Sequence, residues 1–429
     1  MKNFAGIDFG TTNSSIAINT DGQIKLIDLD TDNDGNPIQI LKSVLFFSNE
    51  FRQISFGQQA ITRFVEESNN GRFMRSIKSL LPTKIEVRTS AIGKTYQIED
   101  LIALILSEIK RRAEKASQSE ISKIVLGRPV IFSEDPELDK LAENRLLDAA
   151  KKANFQEVTL MFEPVAAALK LESTMKPHEE KIVLVGDFGG GTSDFTLINL
   201  HGGQKKVDHD RKEDILAVNG LYLGGDTFDS LLMWNSIAKY FGKNAKFRPP
   251  ASSKELSLPL HIIQKLRNWH LLPQLRNVEV RSFLREIKLN SDSPKEIQNL
   301  TSLIDDNLGI LLFQTIEEAK SILTFKNSTT IEFDEIIGVI ITEQITRTIF
   351  ESIIQEKLND LRQCILQLLI EANLSPSDID IVSLTGGTSQ IPAIRKLFIN
   401  LFGEEKIKNQ NLFTSVSEGL ASNSQSLNI

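Results

Sequence analysis

Two stretches far apart in the chain repeat one pattern, and that repetition constrains the fold more than any other feature. "DFGTTNSSIAI" (Asp8–Ile18) and "DFGGGTSDFTLI" (Asp187–Ile198) each follow a short apolar run. Each has Asp-Phe-Gly, a turn of small or hydroxyl residues, then a second strand-like run. A pair at this separation is no solenoid repeat; it predicts two related lobes, each opening with a β-hairpin. The glycines admit backbone conformations closed to other residues and remove side chains that would block a ligand. Consecutive backbone N–H groups in such a turn form a concavity for phosphate oxygens. Two turns facing one another would clamp a polyphosphate. Carboxylates beside phosphates need a cation, so Asp8 and Asp187 imply Mg²⁺, held through water.

Around these hairpins, short apolar runs read as strands at Phe4–Phe9, Ser14–Asn19, Ser43–Ser48, Lys123–Gly127, Val158–Phe162, Lys181–Phe188, Phe195–Leu200 and Ile379–Thr385. Helical periodicity marks Glu99–Ser117, Pro136–Ala153, Pro164–Thr174, Asp226–Phe241, Phe313–Leu323, Thr342–Ala372 and Ile391–Phe402. Alternation of the two predicts an α/β protein. At 429 residues the chain exceeds what one core supports, so two or more lobes are expected.

Composition excludes several classes. A net charge of −7 argues against general binding to nucleic acid or anionic membranes. The one cysteine, Cys364, rules out an internal disulfide and points to a reducing compartment; its apolar helical setting reads as packing. No apolar run approaches the ~20 residues of a membrane span, and Asp8 interrupts any signal-peptide-like start. A soluble, cytoplasmic protein is expected. The paired Asp-Phe-Gly does not make a protein kinase, because the kinase glycine loop and His-Arg-Asp loop are missing, and no P-loop occurs. "DTDNDGNPIQIL" starts like a calcium loop with Asp30, Asp32 and Asp34 but has Leu41 where a glutamate is required, so it reads as a turn. The five histidines, His209 among them, lack metal-ligand spacing, and the mixed-sign run Lys205–Asp214 reads as a solvated connection.

Further motifs give the chain a family resemblance. "GIDFGTTNSSIAI" and "GDFGGGTSDFTL" resemble the two phosphate motifs of the DnaK-type, seventy-kilodalton heat-shock chaperones, and "LTGGTSQIPAIRKLF" (Leu384–Phe398) resembles their adenosine motif. "MFEPVAAAL" (Met161–Leu169), "YLGGDTFDSLL" (Tyr222–Leu232) and "LGRPVIF" (Leu126–Phe132, with the interlobe proline at Pro129) are also similar to that family, over residues 3 to 422. "GRFMRSIKSLL" (Gly71–Leu81) resembles the short YegD-type branch.

The resemblance implies an actin-like ATPase fold, with two ribonuclease-H-like lobes around a nucleotide cleft. The lobes are expected at 1–177 and 178–378, the second carrying an insertion at about 243–310 that reads as core packing around Trp269. Residues 379–429 would follow as the adenosine segment and C-terminal helix, with no peptide-binding domain. It also implies site residues. Backbone amides of Gly10, Thr11, Thr12, Asn13, Gly189, Gly190 and Gly191 would cradle the β- and γ-phosphates. Asp8 and Asp187 would hold the hydrated Mg²⁺, and Glu163 would sit near the cation. Thr192 and Asp194 would orient or activate water. Gly225, Glu317, Lys320, Gly386, Gly387 and Thr388 would hold the adenosine. The implied cofactors are ATP or ADP with Mg²⁺, with K⁺ as a further cation. The implied partners are the nucleotide and an unidentified protein, with no nucleic acid and no membrane.

Some positions depart from the family pattern. Its catalytic lysine falls at Ile61 in "FGQQAITRF", its adenine-stacking arginine at Gln390, and the basic residue after Lys320 is Ser321. An aspartate expected before "EGLA" is replaced near Phe413, and Arg145 is not in clear register with the arginine downstream of the interlobe proline. Lys78 is the obvious substitute for the missing charge at Ile61, provided that the neighbouring helix leaves it within reach. Four functions remain open: a slow ATPase acting on a partner protein, a non-hydrolysing nucleotide-gated module, an actin-like filament former, and a sugar kinase. Fold alone does not choose among them.

Overall fold

The computed structural model describes residues 3–32, 35–67, 70–84, 88–172, 175–202, 211–249, 254–409 and 415–423. Asp34, His209, Phe413, most of the Lys205–Asp214 run and the last six residues lie outside them.

The repeated motif folds into two sheets with the same wiring. In the first, β1 (Asn3–Phe9) and β2 (Asn13–Thr20) form the hairpin, β3 (Gln23–Leu26) extends it antiparallel, and β4 (Lys123–Arg128) and β5 (Glu157–Phe162) add parallel strands on the other side. In the second, β6 (Glu180–Phe188), β7 (Ser193–His201) and β8 (Ile215–Leu221) repeat the antiparallel run, and β9 (Ile381–Thr385) and β10 (Ile407–Asn409) repeat the parallel side. The orders are β5-β4-β1-β2-β3 and β10-β9-β6-β7-β8. The hairpin register repeats as well: Phe9 faces Ser14 and Asp8 faces Ser15, while Phe188 faces Ser193 and Asp187 faces Asp194. The internal echo is therefore an equivalence of structure.

After α1 (Gly57–Glu66), one helix over the first sheet is α2 (Ile98–Ser117), whose Ile102, Leu106 and Ile109 enter a core with Ile7 and Ile16; α3 (Pro136–Lys152) adds Ala142 and Leu146. Another core is built by α4 (Glu163–Glu172) and the C-terminal helix, Ser415–Asn423. Val165 to Ala168, Val416 and Leu420 pack there with Val125 of β4 and with Val183 and Val185 of β6. Small residues make the fit possible. A Cβ on Gly6 would lie 2.3 Å from the Ala421 nitrogen, and one on Gly419 would lie 1.9 Å from the Ala166 carbonyl oxygen. Asn19 adds a side-chain donor, 2.9 Å from the Ala421 carbonyl.

By compactness the chain divides into one unit of residues 1–224, 361–389 and 394–429, and a second of 225–360 and 390–393. This line differs from the expected lobes at 1–177 and 178–378 because both sheets share the core around α4. The second unit begins with helical residues from Gly225 to Phe241 and contains helices Val278–Leu289, Pro294–Asp305 and Gly309–Phe325. Between residues 243 and 310 this unit buries Leu266, Leu272 and Leu275, with Trp269 half-buried beside Gly309.

The helix expected over Thr342–Ala372 begins instead at Arg347, because Ile341–Thr346 pairs as a strand with Ser328–Phe333. Ile341 and Ile345 are buried across this β-branched stretch, a side-chain spacing that a strand satisfies. The calcium-like stretch is a turn: Asp32 accepts from the Asn36 amide, and Asp30 accepts from the Gln58 amide at the start of helix Gly57–Glu66. Cys364 is buried, and burial pushes its thiol up to about 11, so it packs rather than reacts. Among the described residues no helix is long and apolar enough to cross a membrane.

Because Gly419 has backbone on its open side, Gly419→Ala is expected to destabilise the protein by about 1–3 kcal/mol, the usual cost of overpacking a close-fitted core. Urea denaturation measures it; an unchanged midpoint would mean that α4 and the C-terminal helix separate without cost.

Candidate functional site: paired turns over a carboxylate cluster

The two hairpins close alike. The Gly10 amide donates to the Asn13 carbonyl at 3.1 Å, and the Gly189 amide donates to the Thr192 carbonyl at 2.9 Å. In the first turn Ser43 engages the carbonyl side: its hydroxyl donates to the Gly10 carbonyl at 2.8 Å and its amide to the Thr12 carbonyl at 2.7 Å. A trans peptide sets its N–H opposite its C=O. The amides of Thr11 and Asn13 are therefore turned away from Ser43. Sequence reasoning placed Ser43 only in a strand; nothing in its local pattern marks it as the residue that orients this loop.

The turns face each other. A Cβ on Gly190 would lie 2.0 Å from the Thr12 hydroxyl oxygen, whereas one on Gly191 would meet nothing within 4 Å. Two further glycines press on the second turn. Gly224 lies against the Gly189 and Gly190 carbonyls, and Gly386, at φ +83°, lies against the Phe188 carbonyl. Gly387, Thr388 and Ser389 continue as a tight turn in which the Ser389 hydroxyl donates to the Gly386 carbonyl at 2.7 Å. The adenosine-like motif is thus built directly onto the second glycine turn.

Beneath the turns stand the carboxylates that the two strand ends deliver. Removal from water, then the charge of Glu163, raises Asp8 well above the usual carboxylate range. Asp187 is raised for the same two reasons, against a hydrogen bond from the Thr385 hydroxyl at 2.9 Å. Asp194 is pushed up to about 7 by burial and then by Asp187, against the Thr192 hydroxyl donating at 2.9 Å; water still reaches its carboxylate, which tempers the shift. Glu163, the first residue of α4, lies across Gly127, where an added Cβ would approach its Cγ at 3.0 Å.

Lys78 also enters this cluster, so the neighbouring helix leaves it within reach. Its ammonium lies 2.8 Å from Glu163 Oε1. Burial lowers its basicity, but the charges of Glu163 and Asp8 outweigh that, and the net shift is upward. Ile61 is buried on the apolar face of helix Gly57–Glu66, beside Ala60 and Phe64. Arg145, whose register the sequence left open, donates to the Leu81 and Thr83 carbonyls just beyond Lys78. The arginine that grips the Pro129 carbonyl is Arg128, also paired with Asp139.

These residues fit both absent groups. The glycine turns leave space that a side chain would fill at Gly190, and the excess of carboxylates over the Lys78 ammonium suits a hard divalent cation. Among the described residues no three His, Cys, Asp or Glu side chains converge enough to hold an ion by themselves.

In the second unit, Lys320 reaches the buried Asp229 at 2.7 Å and the Gly225 carbonyl at 3.1 Å, with Glu317 exposed on the same helix. Asp229, pushed up to about 7 by burial against the lowering effect of Lys320, was missed by sequence reasoning because it reads as an ordinary helix residue.

Comparison with known proteins decides the family. Residues 4–257 and 300–428 match the family model described as Hsp70 protein. The chain belongs to the Hsp70 family. It therefore has the α/β, actin-like ATPase fold expected from the resemblance. The gap in the match, 258–299, falls inside the expected insertion. The chaperone protein DnaK of Thermosipho melanesiensis is 27% identical over 97% of this chain and 58% of its own length, and that of Thermotoga neapolitana is 28% identical over the same shares. The chain thus spans less than two thirds of the length of these Hsp70 relatives.

A carboxyl group with a folded-state value above its ordinary 3.8 favours the fold when protonated. That contribution is present at low pH and is lost as pH rises from about 4 through about 7. Without metal or nucleotide, the melting temperature should therefore fall across this range, and Asp194→Asn should flatten the slope. A slope unchanged in the variant would place the titrating group elsewhere.

Proposed function

We propose that this Hsp70-family chain binds ATP and ADP with Mg²⁺ and acts as a slow ATPase whose nucleotide state controls a partner protein. The observation that carries the reading is the close approach of Gly190 to Thr12, which sets two amide-lined turns face to face. In this reading the Gly10 and Gly189 amides close their own turns, and the amides of Thr11, Thr12, Asn13, Gly190 and Gly191 take the phosphates. Asp8 and Asp187 hold the hydrated cation, with Glu163 beside them. Mg²⁺, when bound, offsets negative charge on the phosphoryl oxygens. Thr192 and Asp194 orient water, and a carboxylate pushed up to about 7 suits proton removal near neutral pH. Adenosine contacts are assigned to Gly386, Gly387 and Thr388 in the first unit and to Gly225, Glu317 and Lys320 in the second. In the second unit Lys320 supports the Gly225 turn through its carbonyl.

Ligand binding only to the folded state raises stability by mass action, by about 2.7 kcal/mol at a hundred times Kd. ATP with Mg²⁺ should therefore raise the melting temperature of the wild type, and Gly190→Val should show no such rise. An equal rise in the variant would remove the paired-turn site. Single-turnover phosphate release should slow by roughly 10²–10⁴-fold in Asp194→Asn, the usual worth of a general base. Undiminished release would leave Asp194 without that role.

A further inference from the structure

In the second unit two cations share one aromatic ring. The ring is that of Trp234, half-buried in a wide helical turn of the π type, Met233–Ile237. There the Ala238 amide donates to the Met233 carbonyl, five residues back, whereas an α-helix would direct it to the Trp234 carbonyl. The Lys243 ammonium meets the Trp234 carbonyl at 2.7 Å and lies 4.4 Å from the centre of the indole. Gly242, at φ +80°, turns the chain so that Lys243 reaches back. The Arg267 guanidinium comes from another turn, Gln264–Arg267, pinned by the buried Leu266, and lies 5.3 Å from the indole centre. Arg267 falls within 258–299, the stretch that the Hsp70 model does not match. Among the described residues neither cation has a carboxylate partner, and no acceptor meets the Arg267 N–H groups or the Trp234 indole N–H. Burial, then the Arg267 charge, holds Lys243 below the usual lysine range.

We propose that Trp234, Lys243 and Arg267 form a binding site for a phosphate monoester, built from none of the residues assigned to the nucleotide. The ring attracts each cation, but it carries no net charge to cancel their mutual repulsion. An anion does cancel it. The guanidinium fork matches two oxygens of an oxyanion at once, and stacking on the indole holds that fork in place. Lys243 adds a point charge, and the indole N–H adds a neutral donor at the ring's edge. A phosphate monoester carries about −1.5 to −2 charge at pH 7, enough to balance both cations, whereas a carboxylate balances one. A purely structural reading has Lys243 capping a helical turn and Arg267 covering a ring. That reading predicts lost stability on substitution and no response to phosphate.

The chain has two tryptophans, so Trp269→Phe leaves Trp234 as the reporter of its own site. Titrating the full chain in that background with inorganic phosphate should change Trp234 emission to saturation, beyond the effect of sodium chloride at equal ionic strength. Arg267→Gln should weaken the response roughly tenfold or more, the usual worth of a charge-assisted hydrogen bond. Where Arg267→Gln does not fold, Arg267→Lys takes its place, since it keeps the charge and loses the fork. No response beyond that of chloride, an equal response to acetate, or undiminished affinity in the Arg267 variant overturns the proposal. If Trp269→Phe does not fold, equilibrium dialysis of the wild type and the Arg267 variant against phosphate reads the same site. The variant should then retain one phosphate fewer than the wild type, whatever the nucleotide turns hold in both. Equal retention overturns the proposal.

Discussion

Backbone touching backbone is the constraint on which the first unit depends. Gly419 meets the Ala166 carbonyl and Gly6 meets the Ala421 nitrogen at separations that no side chain permits. Those contacts seat the C-terminal helix against α4 and the first sheet, while α4 also packs on the second sheet. Because the sheets share this core, their equivalent hairpins come together at Gly190 and Thr12. The same rule operates at two scales: helices dock where glycine removes Cβ, and the loops approach where glycine removes Cβ.

Electrostatics then gives the paired turns their character. The strand ends deliver Asp8 and Asp187, β7 delivers Asp194, and α4 delivers Glu163 at its first residue. Withdrawing such groups from water raises Asp8, Asp187 and Asp194 together. A cluster of this kind is costly unless a cation enters it, and Lys78 provides one of the protein's own. The chain thus has a positive charge of its own at the site, while Ile61 is a core residue. The charge arrives from a turn tied down by Arg145 rather than from the face of a helix.

The expected chemistry was readable where function demands particular residue types in a short run. Asp-Phe-Gly followed by glycine and hydroxyl residues marks a turn with room for an anion, and the echo at Asp187 marks its twin. Burial patterns placed most strands and helices within a few residues. The exception at Thr342–Thr346 arose because Ile341 and Ile345, four residues apart and next to a long helix, also fit helical periodicity, and only pairing with Ser328–Phe333 distinguishes the two. Ser43, Asp229 and Arg128 were silent for a related reason. Their roles are made by partners 11 to 91 residues away, or by a carbonyl that carries no sequence signature.

By itself the sequence determined the two hairpins, the residues at their tips, the α/β class and the family, because backbone freedom and local periodicity are written in neighbouring residues. Tertiary structure decided which carboxylates share a site, which way the first turn points its amides, and where the positive charge comes from. Ile61 and Lys78 are the clearest case. Both are ordinary residues in their own segments, and local pattern cannot tell a lysine on a turn from one aimed at a carboxylate. Only the packing of Ile77 and Leu81, with Arg145 on the carbonyls beyond, carries the Lys78 ammonium to Glu163.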